Sequence, residues 1–201
     1  MDPRPAATVI VAREASPSVE VLVLRRSEQS RFAPGYAVFP GGSIEPGDTE
    51  LAKRWFGDEE EAARACAIRE LAEETGLALT SDGLRQTTQR EEPVSLVTEA
   101  PPRRDDLPEI SRWIAPEFLP VRFDARFFAV ASPNGLMPRP DGVEIADAWW
   151  TRPEDVLSQF RLWESLMWPT FVTLEELAKC SSVEEVLSLR TEQVPPPVPG
   201  G

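Results

Sequence analysis

A chain of 201 residues with 41% apolar content is long enough to bury the core of one ordinary domain. Its 34 acidic against 21 basic residues leave a formal net charge of −13, which excludes a general nucleic-acid binder, because that affinity comes from neutralising phosphates with Lys and Arg. The complete lack of histidine excludes imidazole acid–base catalysis, Ser–His and Cys–His nucleophile pairs and His-based zinc sites, so metal or proton chemistry falls to carboxylates.

In chain order, Ala7 to Ala12 reads as a buried strand. Val19 to Arg25 reads as a second, with Val19, Val21 and Val23 on one face and Leu22 and Leu24 on the other, the pattern of a central strand. A loop rich in Pro and Gly follows, from Arg26 to Gly42, broken by the apolar stretch Tyr36 to Phe39. Leu51 to Phe56 gives a helical turn stopping at Gly57. Asp58, with Glu61 three residues on, has capping-box spacing, and the helix it opens should run to Thr75 with Gly76 as its stop. On that helix Ala65, Ile68, Ala72 and Thr75, or Ala67 and Leu71, form the buried stripe, while Glu70, Glu73 and Glu74 share another side. The stretch from Ser81 to Leu107 carries no clear periodicity. Arg112 to Ala115, Arg122 to Ala131 and Glu144 to Trp150 read as strands, and helices are expected after Thr151, Thr170 and Ser182. The Pro-rich end, residues 193–201, reads as a disordered tail beyond a single domain of residues 1–192.

Cys66 and Cys180 lie in no metal-like or redox-like spacing, and Cys66 suits a small buried hydrophobe better than a disulfide. No apolar run approaches the ~20 residues that a membrane-spanning helix needs. The opening lacks a basic-then-apolar signal pattern, and a cytoplasmic protein without a membrane partner is the expectation. Strands, a carboxylate-bearing helix, further strands and late helices imply a mixed sheet covered by helices.

The chemistry is concentrated in Arg69-Glu70-Leu71-Ala72-Glu73-Glu74-Thr75-Gly76-Leu77. Carboxylates at i, i+3 and i+4 are neighbours on a helix and repel one another. A hard divalent cation such as Mg²⁺ removes that penalty. These residues match the second half of the Nudix signature, G-x5-E-x7-R-E-U-x-E-E-x-G-U, and Phe39-Pro40-Gly41-Gly42 matches the turn that opens it. The chain thus resembles the Nudix hydrolase family, which implies an α/β/α sandwich around a central mixed β-sheet. The middle of the signature departs from the pattern. After five intervening residues from Gly42 stands Asp48 rather than Glu, and twenty residues, not seven, separate it from Arg69. Glu61 has the right spacing to Arg69 but is separated from Gly42 by eighteen residues rather than five. An insertion of thirteen residues is implied either way, and the first acid of the signature is assigned to Glu61, with Asp48 the alternative.

By this resemblance Glu70, Glu73 and Glu74, with the backbone carbonyl of Gly41, would ligate Mg²⁺ or Mn²⁺, and Arg69 would orient Glu70 or hold the helix to the loop. The cation would offset phosphate charge and lower the pKa of an attacking water. Many family members take the proton on a Glu from a later loop before a Trp-containing strand, which points to Glu144, with Asp147 second. The loop Arg26-Ser27-x3-Arg31-x3-Gly35-x3-Phe39-Pro40-Gly41-Gly42 resembles the motif of the coenzyme A diphosphatase branch, including its peroxisomal mammalian-type subgroup and bacterial relatives. Arg26, Arg31, Gly42 and Arg126 are then candidates for substrate contacts, since guanidinium suits phosphate. Trp149, Trp150 and Trp168 could stack on a base or serve the core. The implied substrate is a small pyrophosphate, foremost coenzyme A or acyl-coenzyme A. An ADP-ribose, NADH or nucleoside-diphosphate-sugar pyrophosphatase and a catalytically silent binding module remain open. Family members are often dimers, so the resemblance also implies a homodimer.

Overall fold

The computed structural model describes residues 2–88, 90–117, 119 and 121–196. A mixed sheet forms from β1 (Arg4–Glu14), β2 (Val19–Arg26), β3 (Ala37–Val38), β4 (Gly41–Ser43), β7 (Glu109–Ile114), β8 (Phe123–Ala131) and β9 (Ile145–Thr151). β1 runs parallel to β8, with Arg4–Ala12 facing Phe123–Ala131, and its other pairings are antiparallel. β2 is flanked by β9 on one edge and by β1 and β3 on the other, which explains why both of its faces are apolar.

The period-2 alternation divides the core in two. Ala7, Val9, Val11, Leu22 and Leu24 face α1 (Pro46–Phe56), α2 (Ala62–Thr75) and α3 (Pro93–Glu99). Ile10, Ala12, Val19, Val21 and Val23 face α4 (Pro153–Gln159), α5 (Trp168–Leu177) and α6 (Val183–Ser188). The result is the expected α/β/α sandwich. A separate hairpin, β5 (Leu77–Thr80) and β6 (Gly83–Gln86), follows α2 and leads into α3, and both lie wholly or partly in the stretch without a legible period.

Several boundaries differ from the sequence expectation for identifiable reasons. α1 starts at Pro46, well before Leu51, because Pro suits the first helical position and Asp48 reaches back to accept the Glu45 N–H at 2.8 Å. Asp58 caps a short 3-10 turn, Glu59–Glu61, by accepting the Glu60 N–H at 3.0 Å, and α2 begins only at Ala62. α4 is capped at Arg152 with Pro153 behind it, so Thr151 ends β9 instead. α5 begins at Trp168, not after Thr170, since Pro169 falls in the first turn where its missing N–H costs nothing. Ser182 caps α6 as expected, accepting the Glu185 N–H at 3.3 Å. At the start of the tail, the Gln193 side chain bonds both backbone groups of Ile114, and the Val194 carbonyl accepts from Trp168; residues 197–201 of that expectation lie outside the described residues. No helix among the described residues is long and apolar enough to cross a membrane.

Candidate functional site

β1 and β2 pair only where Ala12–Glu14 meets Val19–Val21. Beyond that they part, and the chain from β3 to β4 fills the fork: β3 joins β2, β4 joins β1, and the Pro40 carbonyl between them accepts the Val9 N–H at 2.9 Å. Phe39-Pro-Gly-Gly42 is therefore a fixed wedge in the sheet. Gly41 lies so close to β1 that a Cβ would collide with the Ala7 carbonyl oxygen and the Thr8 Cα. A Cβ on Gly42 would meet the Glu70 carboxylate. The two glycines let α2 approach the sheet edge at this point.

α2 completes the approach with small residues: Ala63, Ala65, Cys66, Ala67 and Ala72 are all buried, beside Ile68 and Leu71. It stops at Gly76, whose φ of 66° lies in the left-handed region and whose N–H donates to the Ala72 carbonyl at 2.9 Å. The three acids of α2 are not equally placed: Glu73 is half exposed, Glu70 partly buried, and Glu74 only 5% exposed. Its Oε2 accepts the Gly41 N–H at 3.0 Å. Burial pushes the Glu74 carboxyl up to about 8, with repulsion from Glu70 and Glu144 adding, while the Gly41 N–H and Arg26 oppose. Glu70 is pushed up to about 7, again by burial first, despite the pull of Arg69, with Glu73 and Asp48 adding to the rise.

Arg69 organises these acids. Its Nε and Nη2 grip Asp48 Oδ1 and Oδ2 at 2.7 and 3.0 Å, and its Nη1 lies 2.9 Å from both Glu70 Oε1 and Glu73 Oε2. Burial alone would lower its pKa, but the Asp48 hydrogen bonds and the Glu70 charge raise it, so Arg69 stays cationic. Asp48 is fully buried, and a two-point Arg–carboxylate grip of this kind fixes orientation as well as charge. Glu61 does not serve Arg69. It pairs with Arg64 and, at 3.4 Å, with Arg104, near the start of α2. Residues 49–61, the rest of α1 and the 3-10 turn, loop out between Asp48 and α2 and leave Asp48, not Glu61, against Arg69. Cys66 directs its thiol to the Gly42 and Ser43 carbonyls, and burial raises its pKa, as suits a packing residue.

The outer wall comes from two exposed segments. Arg26 Nε donates to the Phe32 carbonyl at 3.0 Å, and its Nη2 lies 3.9 Å from Glu144 Oε2. Arg26 and Glu144 both act electrostatically on Glu74, which brings these candidates to one place. The Glu144 carbonyl accepts from the Ser27 N–H at 2.8 Å and the Ser30 hydroxyl at 3.3 Å, tying the β2–β3 loop to the turn before β9. Asp147 is exposed on β9 and accepts the Ala148 N–H. Arg31 is exposed and has no ion pair among the described residues. Arg126 is paired with Glu109 across β7 and β8 and stacks over Phe128. The tryptophans are engaged in packing: Trp149 stacks on Phe160, Trp168 on Phe171, and Trp150 carries Arg13 over its ring.

Among the described residues no three carboxylates or thiols converge on one point, since Glu73 is half exposed and turned to Arg69. The donor set nonetheless suits a hard divalent cation: a buried carboxylate, a partly buried one beside it, a third on the same helix, and no imidazole nearby.

A family model described as the NUDIX domain matches residues 2–171. The crystal structure of a Nudix hydrolase from Alicyclobacillus acidocaldarius is similar at a TM-score of 0.80 and 32% identity, covering 95% of this chain and 98% of that one. A putative nudix hydrolase 7 of Caenorhabditis elegans is 27% identical over 168 residues, which are 78% of this chain and 54% of that protein. The chain thus spans about half the length of that curated relative. The NUDIX domain of Shewanella oneidensis NrtR, solved with ADP ribose, shares the fold at 13% identity and a TM-score of 0.53, covering 89% of this chain and 88% of that one. With the signature on α2, the glycine wedge beside it and a family match over most of its length, this chain belongs to the Nudix hydrolase family.

Proposed function

We propose that this chain hydrolyses a nucleoside-linked diphosphate with the help of Mg²⁺ or Mn²⁺, and that coenzyme A or an acyl-coenzyme A is its substrate. The observation that carries the class is the pair of carboxylates, buried Glu74 and partly buried Glu70, held against Gly41 and Gly42 with Arg69 beside them. Glu70, Glu73 and Glu74, with the Gly41 backbone, would hold the cation, which when bound screens phosphate charge and acidifies water. Asp48 takes the place of the first acid of the signature: it fixes Arg69, which in turn orients Glu70 and Glu73. The thirteen-residue insertion is then residues 49–61, the rest of α1 and the 3-10 turn. Glu144 accepts the proton of the attacking water, and Arg26 keeps its carboxylate beside the acid pair. Water attacks one phosphorus of the diphosphate, and the products are 3′,5′-ADP and the (acyl-)4′-phosphopantetheine.

The choice of coenzyme A rests on the arginine-bearing loop. This substrate carries a 3′-phosphate besides its diphosphate, and Arg31, exposed and without an ion pair among the described residues, is available to it in an otherwise acidic protein. Arg126 would have to leave Glu109 first. A homodimer belongs to the same reading. Incubation with coenzyme A, ADP-ribose, NADH and diadenosine polyphosphates in Mg²⁺, with products identified by mass spectrometry, is the test. Fastest release of 3′,5′-ADP from coenzyme A is expected; cleavage of ADP-ribose or NADH alone would remove the substrate and keep the class.

A further inference from the structure

Glu144 sits on an exposed turn, with 69% of its side chain open to solvent, and its neighbour Val143 is 75% exposed. Apolar packing reaches only the end of this turn, at Ile145, and its exposed tip is held by hydrogen bonds, most of them to one side chain. Asp141 Oδ1 accepts three consecutive backbone N–H groups, from Val143 at 3.0 Å, Glu144 at 3.1 Å and Ile145 at 2.9 Å, and its Oδ2 takes a second bond from Glu144 at 3.3 Å. Gly142, at a φ of 74°, supplies the left-handed backbone that lets the chain fold around that carboxylate, and its N–H closes the turn on the Ile145 carbonyl at 3.1 Å. Beyond the turn, Ile145 is fully buried and starts β9.

Glu144 is thereby gripped on both sides of its own peptide. Its N–H belongs to Asp141, and its carbonyl belongs to Ser27 and Ser30 of the loop that carries Arg26 and Arg31. Only its side-chain torsions remain free, and Arg26 stands 3.9 Å from its carboxylate. We infer that Asp141 is the positioning residue for the catalytic carboxylate: by capping the turn 141–145 it fixes the Glu144 backbone against the Arg26 loop and so delivers Glu144 to the diphosphate. This inference rests on the reading of Glu144 as the proton acceptor. The carboxylate acts here only as a hydrogen-bond acceptor, so its charge is dispensable and its shape is not.

That distinction defines the test. Asp141→Asn keeps an Oδ1 acceptor on an isosteric side chain, whereas Asp141→Ala removes it. Amide hydrogen exchange at Val143, Glu144 and Ile145 reads the clamp without any substrate. Asp141→Ala is expected to speed exchange there about tenfold, the factor corresponding to one net hydrogen bond, and Asp141→Asn to leave it near wild type. Turnover of the best substrate in the panel above reads the consequence. In Asp141→Ala, kcat should fall on the order of 10²-fold with KM little changed, the cost of a misplaced catalytic group, and Asp141→Asn should restore it. In the Asp141→Ala, Glu144→Gln double variant no further loss beyond Glu144→Gln is expected, because both changes remove one function. Unchanged exchange in Asp141→Ala, or full turnover there while Glu144→Gln is impaired, would overturn the inference. Full turnover in Glu144→Gln would instead remove Glu144 as the proton acceptor, and the exchange rates would still report whether Asp141 is the clamp.

Discussion

The two walls of the site are built on opposite principles. The α2 wall is largely buried: Asp48 and Glu74, with the partly buried Arg69 and Glu70, are held by short ion pairs and by a wedge of glycines inside the sheet. The wall made of the Arg26–Gly35 loop and the 141–145 turn is exposed and held by backbone hydrogen bonds to a few polar side chains. Burial raises the energy of charge on the first wall, and a cation can relieve it. On the second, the Glu144 carboxylate and the Arg31 guanidinium stay exposed to solvent, while Arg26 is partly buried behind them. Metal chemistry is thus assigned to the rigid wall and substrate choice to the adaptable one.

The sharpest way to break this division is to neutralise the buried pair. Glu70→Gln with Glu74→Gln should abolish turnover while making the metal-free protein more heat-stable, since two buried carboxyls no longer resist ionisation; retained turnover in a steady-state assay would remove the cation site from α2. Next in size is Asp48→Ala, which leaves Arg69 without its two-point partner. A stability loss of about 3 kcal/mol in denaturant unfolding is expected from breaking a buried ion pair. Cation affinity by calorimetry should weaken roughly 10–100-fold, as when a supporting partner of a ligand is removed. Glu61→Gln should leave that affinity unchanged, and a larger effect of Glu61 than of Asp48 would reverse their roles.

A third effect is pH dependence. Glu70 and Glu74 carry folded-state pKa values of about 7 and about 8, above the ordinary value of 4.5. Between these limits the folded state binds more protons than the unfolded one, so stability falls as pH rises from about 4.5 to 8. Melting temperatures in chelator should decline across that window and recover on adding Mg²⁺; a flat profile in chelator would mean that the pair is not strained by charge. The smallest effect belongs to the outer wall. Arg31→Ala should raise KM for coenzyme A roughly tenfold with kcat unchanged, and Arg126→Ala should not. Equal effects from the two would show that only net charge matters.

Much of the buried wall was legible in the sequence because its constraints are local. The run Arg69 to Gly76 has helical spacing, a stop glycine and a fixed motif, and the two-faced pattern of β2 announced a central strand. Two features of that wall were not legible. Glu74 is buried because the Gly41 wedge meets α2 from 33 residues away, a tertiary contact that helical period does not encode. Asp48 reaches Arg69 from 21 positions away, past the rest of α1 and the 3-10 turn, a contact that linear spacing does not encode. The exposed wall was legible only as candidates. Arg26 and Glu144 were found by motif and position, but their meeting depends on a loop–turn contact spanning more than a hundred residues. Asp141 was missed, although Asp141-Gly142 is a turn signal that marks where the chain folds around a side chain.

The central claim is that Glu70 and Glu74 hold a divalent cation. Isothermal titration of the protein with Mg²⁺ at pH 7, in two buffers of different ionisation enthalpy, tests it most directly. With folded pKa values of about 7 and about 8, binding should release roughly one proton or more per cation and should vanish in Glu70→Gln, Glu74→Gln. Mg²⁺ binding of unchanged affinity in that double variant, with no proton released in either protein, would contradict the account.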